Sequence, residues 1–149
     1  MAKQYPRGFI LALIAAGPVA AADPASPHDA VRAVVERHQD AFARKDLKAL
    51  IADYADDAVV VFPGQVPSGK AQVEAAFASY FASVPTTANF DVVIDKVDGD
   101  LGITRWVANP GTPKAVEGRD VFVVRGGKIR FQATYGVHPV NPAPAAAAK

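Results

Sequence analysis

Residues 116–135 read VEGRDVFVVRGGKIRFQATY, two alternating runs on either side of Gly126-Gly127. A strand side chain changes face at every residue, and a Gly-Gly pair suits the positive φ angles of a two-residue hairpin turn. The stretch is therefore constrained to an antiparallel hairpin with one dry face. Val116, Gly118, Asp120, Phe122 and Val124 share that face, and Glu117, Arg119 and Arg125 take the other. In the second run, Ile129, Phe131, Ala133 and Tyr135 are expected to share a face. Arg130 and Gln132 are expected outside, beside Arg119, Val121, Val123 and Arg125.

A dry sheet face needs a cover, and the upstream sequence supplies one. SPHD starts a helix, with Ser26 as N-cap, Pro27 at the first position and Asp29 in the first turn. Val31, Val34, Val35, Ala41 and Phe42 recur at helical spacing, with His38 among them. KDLKALIADY reads as a second short helix, ended by ADD, and residues 58–62, AVVVF, as a strand stopped by Pro63 and Gly64. A third helix runs from Lys70 to about Ser83. NFDVVIDKV and LGITRWVA are two further strands around the turn DGD. Helices gathered ahead of hairpin-linked strands indicate an α+β fold: three helices in the N-terminal half on a strongly curved, mainly antiparallel sheet. A curved sheet wrapped around helices encloses a pocket.

The ends stand apart from this domain. Lys3 and Arg7 precede the apolar run FILALIAA, followed by Gly17, Pro18 and the small-residue site VAAAD. That is the three-part pattern of a secretory signal peptide, with cleavage expected after Ala22. The alternative is an uncleaved anchor, but eight apolar residues fall short of the roughly 20 that span a bilayer. The expected organisation is a signal peptide over 1–22, one domain over 23–138, and a disordered Pro/Ala-rich tail over 139–149. The protein is expected to be periplasmic or secreted. Taking Lys3 and Arg7 from the 16 basic residues leaves 14 against 15 acids. That balance gives no reason to expect nucleic acid or, after cleavage, a membrane as partner. With no cysteine, the exported chain is held by its core alone.

Asp120 is the sharpest chemical signal, the one carboxylate on the dry face of its strand. Such a group pairs, hydrogen-bonds or stays protonated. It is either a structural aspartate tied to an amide or an arginine, or a functional group with a perturbed pKa. His38, on an apolar helix face, is either a satisfied core residue or an acid–base group. Three scattered histidines lack the spacing of a zinc site, so no metal is expected. There is no phosphate loop and no serine in a nucleophile elbow, and no cofactor is expected. Tyr54, Phe62, Phe77, Trp106, Phe122 and Tyr135 belong to the core, and some are candidates to line a pocket for a small apolar molecule.

Three pieces carry a resemblance to a family: AFARKDLKALIADYADDAVVVFPG, SGKAQVEAAFASYF and GRDVFVVRGGKIRFQATYG, together covering residues 27–136. The chain resembles the nuclear transport factor 2 superfamily, of the SnoaL-like and ketosteroid-isomerase-like kind. The resemblance implies a cone-shaped, cystatin-like barrel with an apolar pocket, and a homodimer. Ketosteroid isomerases pair an aspartate base with a tyrosine and a protonated aspartate. By resemblance the protonated aspartate falls on Asp120, the tyrosine on His38 and the base on Phe62, while Phe122 and Tyr135 match aromatic positions. A phenylalanine takes no proton, so that route is not expected here. SnoaL-type polyketide cyclases instead imply an acid–base role for Asp120 alone.

Three functions stay open on the sequence. One is an acid–base enzyme of isomerase, cyclase or dehydratase type using Asp120 and His38 as a dyad. A second is a non-catalytic binder of an apolar ligand. A third is an assembly module that dimerises through the outer face of its sheet.

Overall fold

The protein is described by a computed structural model covering residues 26–85 and 87–140. The segment read as a signal peptide lies outside the described residues, as does the tail from Asn141 onward. The elements in chain order are α1 (Pro27–Ala43), α2 (Leu47–Ala52), β1 (Tyr54–Val61), α3 (Lys70–Ser83), β2 (Phe90–Asp98), β3 (Leu101–Ala108), β4 (Val116–Arg125) and β5 (Lys128–Pro139). They form three helices on a curled, open five-stranded sheet of order β1-β5-β4-β3-β2, in the α+β class. The pairings β2–β3, β3–β4 and β4–β5 are antiparallel, and β1 joins β5 in parallel. No helix among the described residues is long and apolar enough to cross a membrane.

Local chemistry sets the helix ends. Ser26 Oγ accepts from the Asp29 amide at 3.1 Å and donates to its carboxylate at 2.7 Å, closing the first turn of α1. Asp46 caps α2 through the Ala49 amide at 3.0 Å. The second helix ends earlier than expected. Asp53 is its C-cap, and Tyr54 already belongs to β1, paired with Ile129 of β5. The helical period of ALIADY is overridden by a strand pairing with the far end of the chain. At the other end, β5 continues through Pro139, one residue past the expected domain boundary at 138.

Helix α1 lies across the concave side of the sheet. Its stripe of Val31, Val34, Val35, His38 and Ala41 is buried there. A Cβ on Gly102 of β3 would sit 2.8 Å from Val35 Cγ2, so that glycine is what admits the helix to this distance. Phe77 and Val73 of α3 close the core with Leu50, Tyr54, Phe122 and Ile129.

The β3–β4 ladder is regular from Leu101↔Val123 to Ala108↔Val116, so β4 keeps its alternation and buries Gly118, Asp120, Phe122 and Val124. The β4–β5 ladder is not regular. Arg125 and Lys128 flank a two-residue turn at Gly126 (φ 59) and Gly127 (φ 70), and Val124 faces Ile129. Val123 then faces Phe131, so Arg130 is an extra residue, a β-bulge. A bulge inverts the faces beyond it. Ile129 is buried as expected, but Phe131, Ala133 and Tyr135 turn to the convex side, and Gln132 and Thr134 turn inward. The expected inner face of β5 is thus corrected beyond Ile129. Arg130 Nη1 is held by Asp57 Oδ1 of β1 at 2.6 Å, where β1 and β5 also lose regular register.

Candidate functional site

The bulge completes a row of inward side chains across four strands: Ile94, Thr104, Asp120 and Thr134, each directly opposite the next. Asp120 is 7 % exposed. Thr134 Oγ1 donates to its Oδ1 at 2.6 Å. Burial pushes the Asp120 carboxyl up to about 6, against hydrogen bonding from Thr134, Gln132 and Trp106, in that order, which favours the charged form. No arginine or lysine is its partner among the described residues. The buried aspartate tied to an arginine is instead Asp53, gripped by Arg37 Nε at 2.7 Å.

A cavity of about 450 Å³ opens in front of Asp120, between the concave sheet and helices α1 and α3. Such a volume suits a small organic molecule. Phe42, Phe62, Phe77, Tyr80, Phe90 and Trp106 are its aromatic lining, and Asp120, Thr134, Gln132, Gln39, Gln65 and His38 its polar part. Trp106 owes its pose to Gly118. A Cβ on that glycine would meet Trp106 Cζ2 at 2.4 Å, so the indole lies flat over the bare backbone beside Asp120.

His38 faces the same cavity from α1 at 1 % exposure. Its ring packs edge-on against Tyr54 and Phe122, with centroids 5.4 Å and 5.3 Å away. Burial pushes its imidazole down to about 3, so it is neutral near pH 7. Among the described residues its Nδ1 has no hydrogen-bond partner, and neither do Gln39 Nε2 and Thr104 Oγ1. His38 and Asp120 therefore share a cavity without bonding to each other, and the expected dyad is not formed.

The six aromatic candidates divide. Phe62, Phe77 and Trp106 line the cavity. Tyr54 and Phe122 are fully buried behind it, Phe122 under the His38 ring and Tyr54 donating its hydroxyl to Gln132 Oε1. Burial, with the charges of Asp120 and Asp53, raises the Tyr54 phenol well above its usual value, so it stays a donor. Tyr135 is corrected outright, 45 % exposed on the convex side as a consequence of the bulge. Gln132 and Thr134 were not foreseen as site residues, because regular alternation from the hairpin places both outside. Gln39 lies next to His38 in sequence yet faces the cavity edge, a position the apolar stripe of α1 does not mark. No cluster of three or more metal-ligating side chains occurs among the described residues.

The fold around this cavity is shared with solved structures of low identity. An NTF-2-like protein of unknown function from Burkholderia xenovorans LB400 matches with a TM-score of 0.65 at 24 % identity, over 78 % of this chain and 89 % of that one. An LEH-like epoxide hydrolase from M. tuberculosis matches at 0.57 and 21 %, over 74 % and 84 %. A ketosteroid isomerase-like protein from Erwinia carotovora atroseptica SCRI1043 matches at 0.53 and 21 %, over 72 % and 93 %. No curated protein matches the chain. The model of the SnoaL-like domain matches residues 35–132, from the α1 stripe that carries His38 to the inward Gln132 of β5. Since that match spans more than half of the chain, this protein belongs to the SnoaL-like family.

Proposed function

We propose that this protein binds a small, mostly apolar molecule in the concave cavity and that Asp120 exchanges a proton with it, in a reaction of isomerase, cyclase or dehydratase type. One observation carries the reading: the only acid on the cavity wall among the described residues is buried, uncompensated by a cation, and poised at about 6. A group that titrates near the working pH is suited both to give and to take a proton. Thr134, Gln132 and Trp106 stabilise its charged form, so the carboxylate is tolerated after it gives up its proton. Neutral His38 and the Gln39 amide have hydrogen-bonding capacity unused within the protein, suited to a polar atom of the bound molecule.

Turnover of a panel of cyclic ketones, enols and epoxides tests this reading. Asp120→Asn should keep the fold and lose turnover by on the order of 100-fold or more. The second reading is binding without chemistry, favoured by Phe62 on the cavity wall, the residue on which the ketosteroid-isomerase base falls by resemblance. Saturable binding with no turnover in the wild type supports that second reading.

Two further expectations belong to the same proposal. Residues 1–22 direct export, which a periplasmic or secreted form beginning at Asp23 by mass spectrometry would support. The domain pairs with a second copy through the convex sheet face, where Val93 is 51 % exposed and Leu101 38 %.

A further inference from the structure

The charge inventory of the cavity is one-sided. Among its described lining residues there is no lysine or arginine, and Asp120 is the one acid. All the partners that stabilise the Asp120 carboxylate are uncharged: Thr134, Gln132 and Trp106. The same cavity is walled by the rings of Phe42, Tyr80, Phe90 and Trp106, of which Trp106 and Tyr80 act electrostatically on Asp120 or are acted on by it. Aromatic faces carry negative charge density and attract organic cations, most strongly where water is excluded. A carboxylate already desolvated by the fold gains attraction from a cation without further desolvation of its own. An anion meets the opposite situation, a like charge and no base to pair with.

We propose that the cavity takes a small apolar organic cation, whose nitrogen sits between Asp120 and the aromatic wall, and that it rejects anions of the same shape. This rests on the reading of the cavity as the binding site. It narrows the ligand class from apolar molecules in general to apolar amines.

Three shape-matched probes test it: adamantylmethylamine, adamantylmethanol and adamantanecarboxylate, titrated calorimetrically into the wild-type protein at pH 8. The amine should bind about tenfold or more tighter than the alcohol, and the carboxylate should not bind detectably. Asp120→Asn should erase the amine's advantage over the alcohol. Should that variant fold poorly, carboxyl NMR of the wild type decides, because the amine, unlike the alcohol, should lower the titration midpoint of Asp120. An alcohol that binds as tightly as the amine overturns the inference and leaves the cavity reading standing. Failure of all three probes overturns both.

Discussion

Thr134 Oγ1 donates to Asp120 Oδ1 at 2.6 Å from the position directly opposite on the neighbouring strand. The bulge at Arg130 creates this pairing. With the register of Val124↔Ile129 continued unbroken, Ala133 would face Asp120 and Phe131 would face Phe122. A buried carboxyl would then lie opposite a methyl group. One extra residue exchanges these for Thr134 and Gln132, and so supplies the hydroxyl that holds the carboxylate.

Removing that hydroxyl should move the titration of Asp120 upward. Thr134→Val keeps the shape of the side chain and deletes a donor to the charged form. Carbon-detected NMR of the wild type should place the Asp120 midpoint near 6, with the variant clearly higher. An unchanged midpoint in Thr134→Val would mean that the bond does not hold the charge.

Asp120 and His38 should pull stability in opposite directions with pH. The native state keeps the Asp120 proton to about 6, whereas the free carboxyl loses it near 3.8. Between those values the native state binds more protons, so stability falls as pH rises, by on the order of 3 kcal/mol in all. His38 stays neutral down to about 3 against an ordinary 6.5. There the unfolded chain binds more protons, so stability is full above 6.5 and falls as pH drops. From about pH 4 to 6 the two effects nearly cancel. Asp120→Asn should unmask the histidine, losing about 1.4 kcal/mol of stability per pH unit on acidification relative to the wild type. His38→Phe should show the reverse slope relative to the wild type. Urea denaturation at several pH values measures both, and parallel curves for all three proteins would sink the account.

The inward face of β4 was legible because nothing interrupts it: the β3–β4 ladder is regular, so period-two alternation placed Asp120 and Phe122 correctly. The α1 stripe and its Ser26 cap were legible for the same reason, each being local. The faces of β5 were not. The bulged Arg130 is held by Asp57, 73 residues earlier in the chain, and no local pattern announces a contact of that span. Tyr54 was misplaced in the same way, since ALIADY keeps a helical period while its pairing partner Ile129 lies on β5. The signs of the site, an aspartate on a dry strand and a histidine on a dry helix, were in the sequence. Their separation was not, because it depends on how α1 crosses the curled sheet.

Gly118 should not tolerate a side chain. Its added Cβ would stand 2.4 Å from the Trp106 ring, so Gly118→Ala must push the indole out of its seat. Overpacking of this kind costs about 1–3 kcal/mol. The displaced indole should also give Asp120 less support as a carboxylate and raise its titration midpoint. Trp106 is the one tryptophan in the chain, so its fluorescence reports the shift directly. Denaturation and emission spectra unchanged from the wild type would contradict the close stacking.

The proposed dimer has a central test residue in Val121. On the convex face Val121 lies between Ile103 and Ala133, and the next row holds Leu101, Val123 and Phe131. Phe131 stands there because of the bulge, which makes this face more apolar than regular alternation would. Arg119 and Asp95, paired at 2.8 Å, border it with charge. An apolar centre with arginine at its edge has the make-up of a protein interface. Val121→Lys would place an ammonium group at the centre of that contact, with its like charge facing the copy across the twofold axis. Association should weaken by on the order of 100-fold, because burying an unpaired charge costs several kcal/mol. Sedimentation equilibrium should show a wild-type dimer at micromolar concentration and a monomeric variant whose thermal unfolding is little changed. A monomeric wild type would remove the interface from this face, and a variant that still dimerises would place it elsewhere.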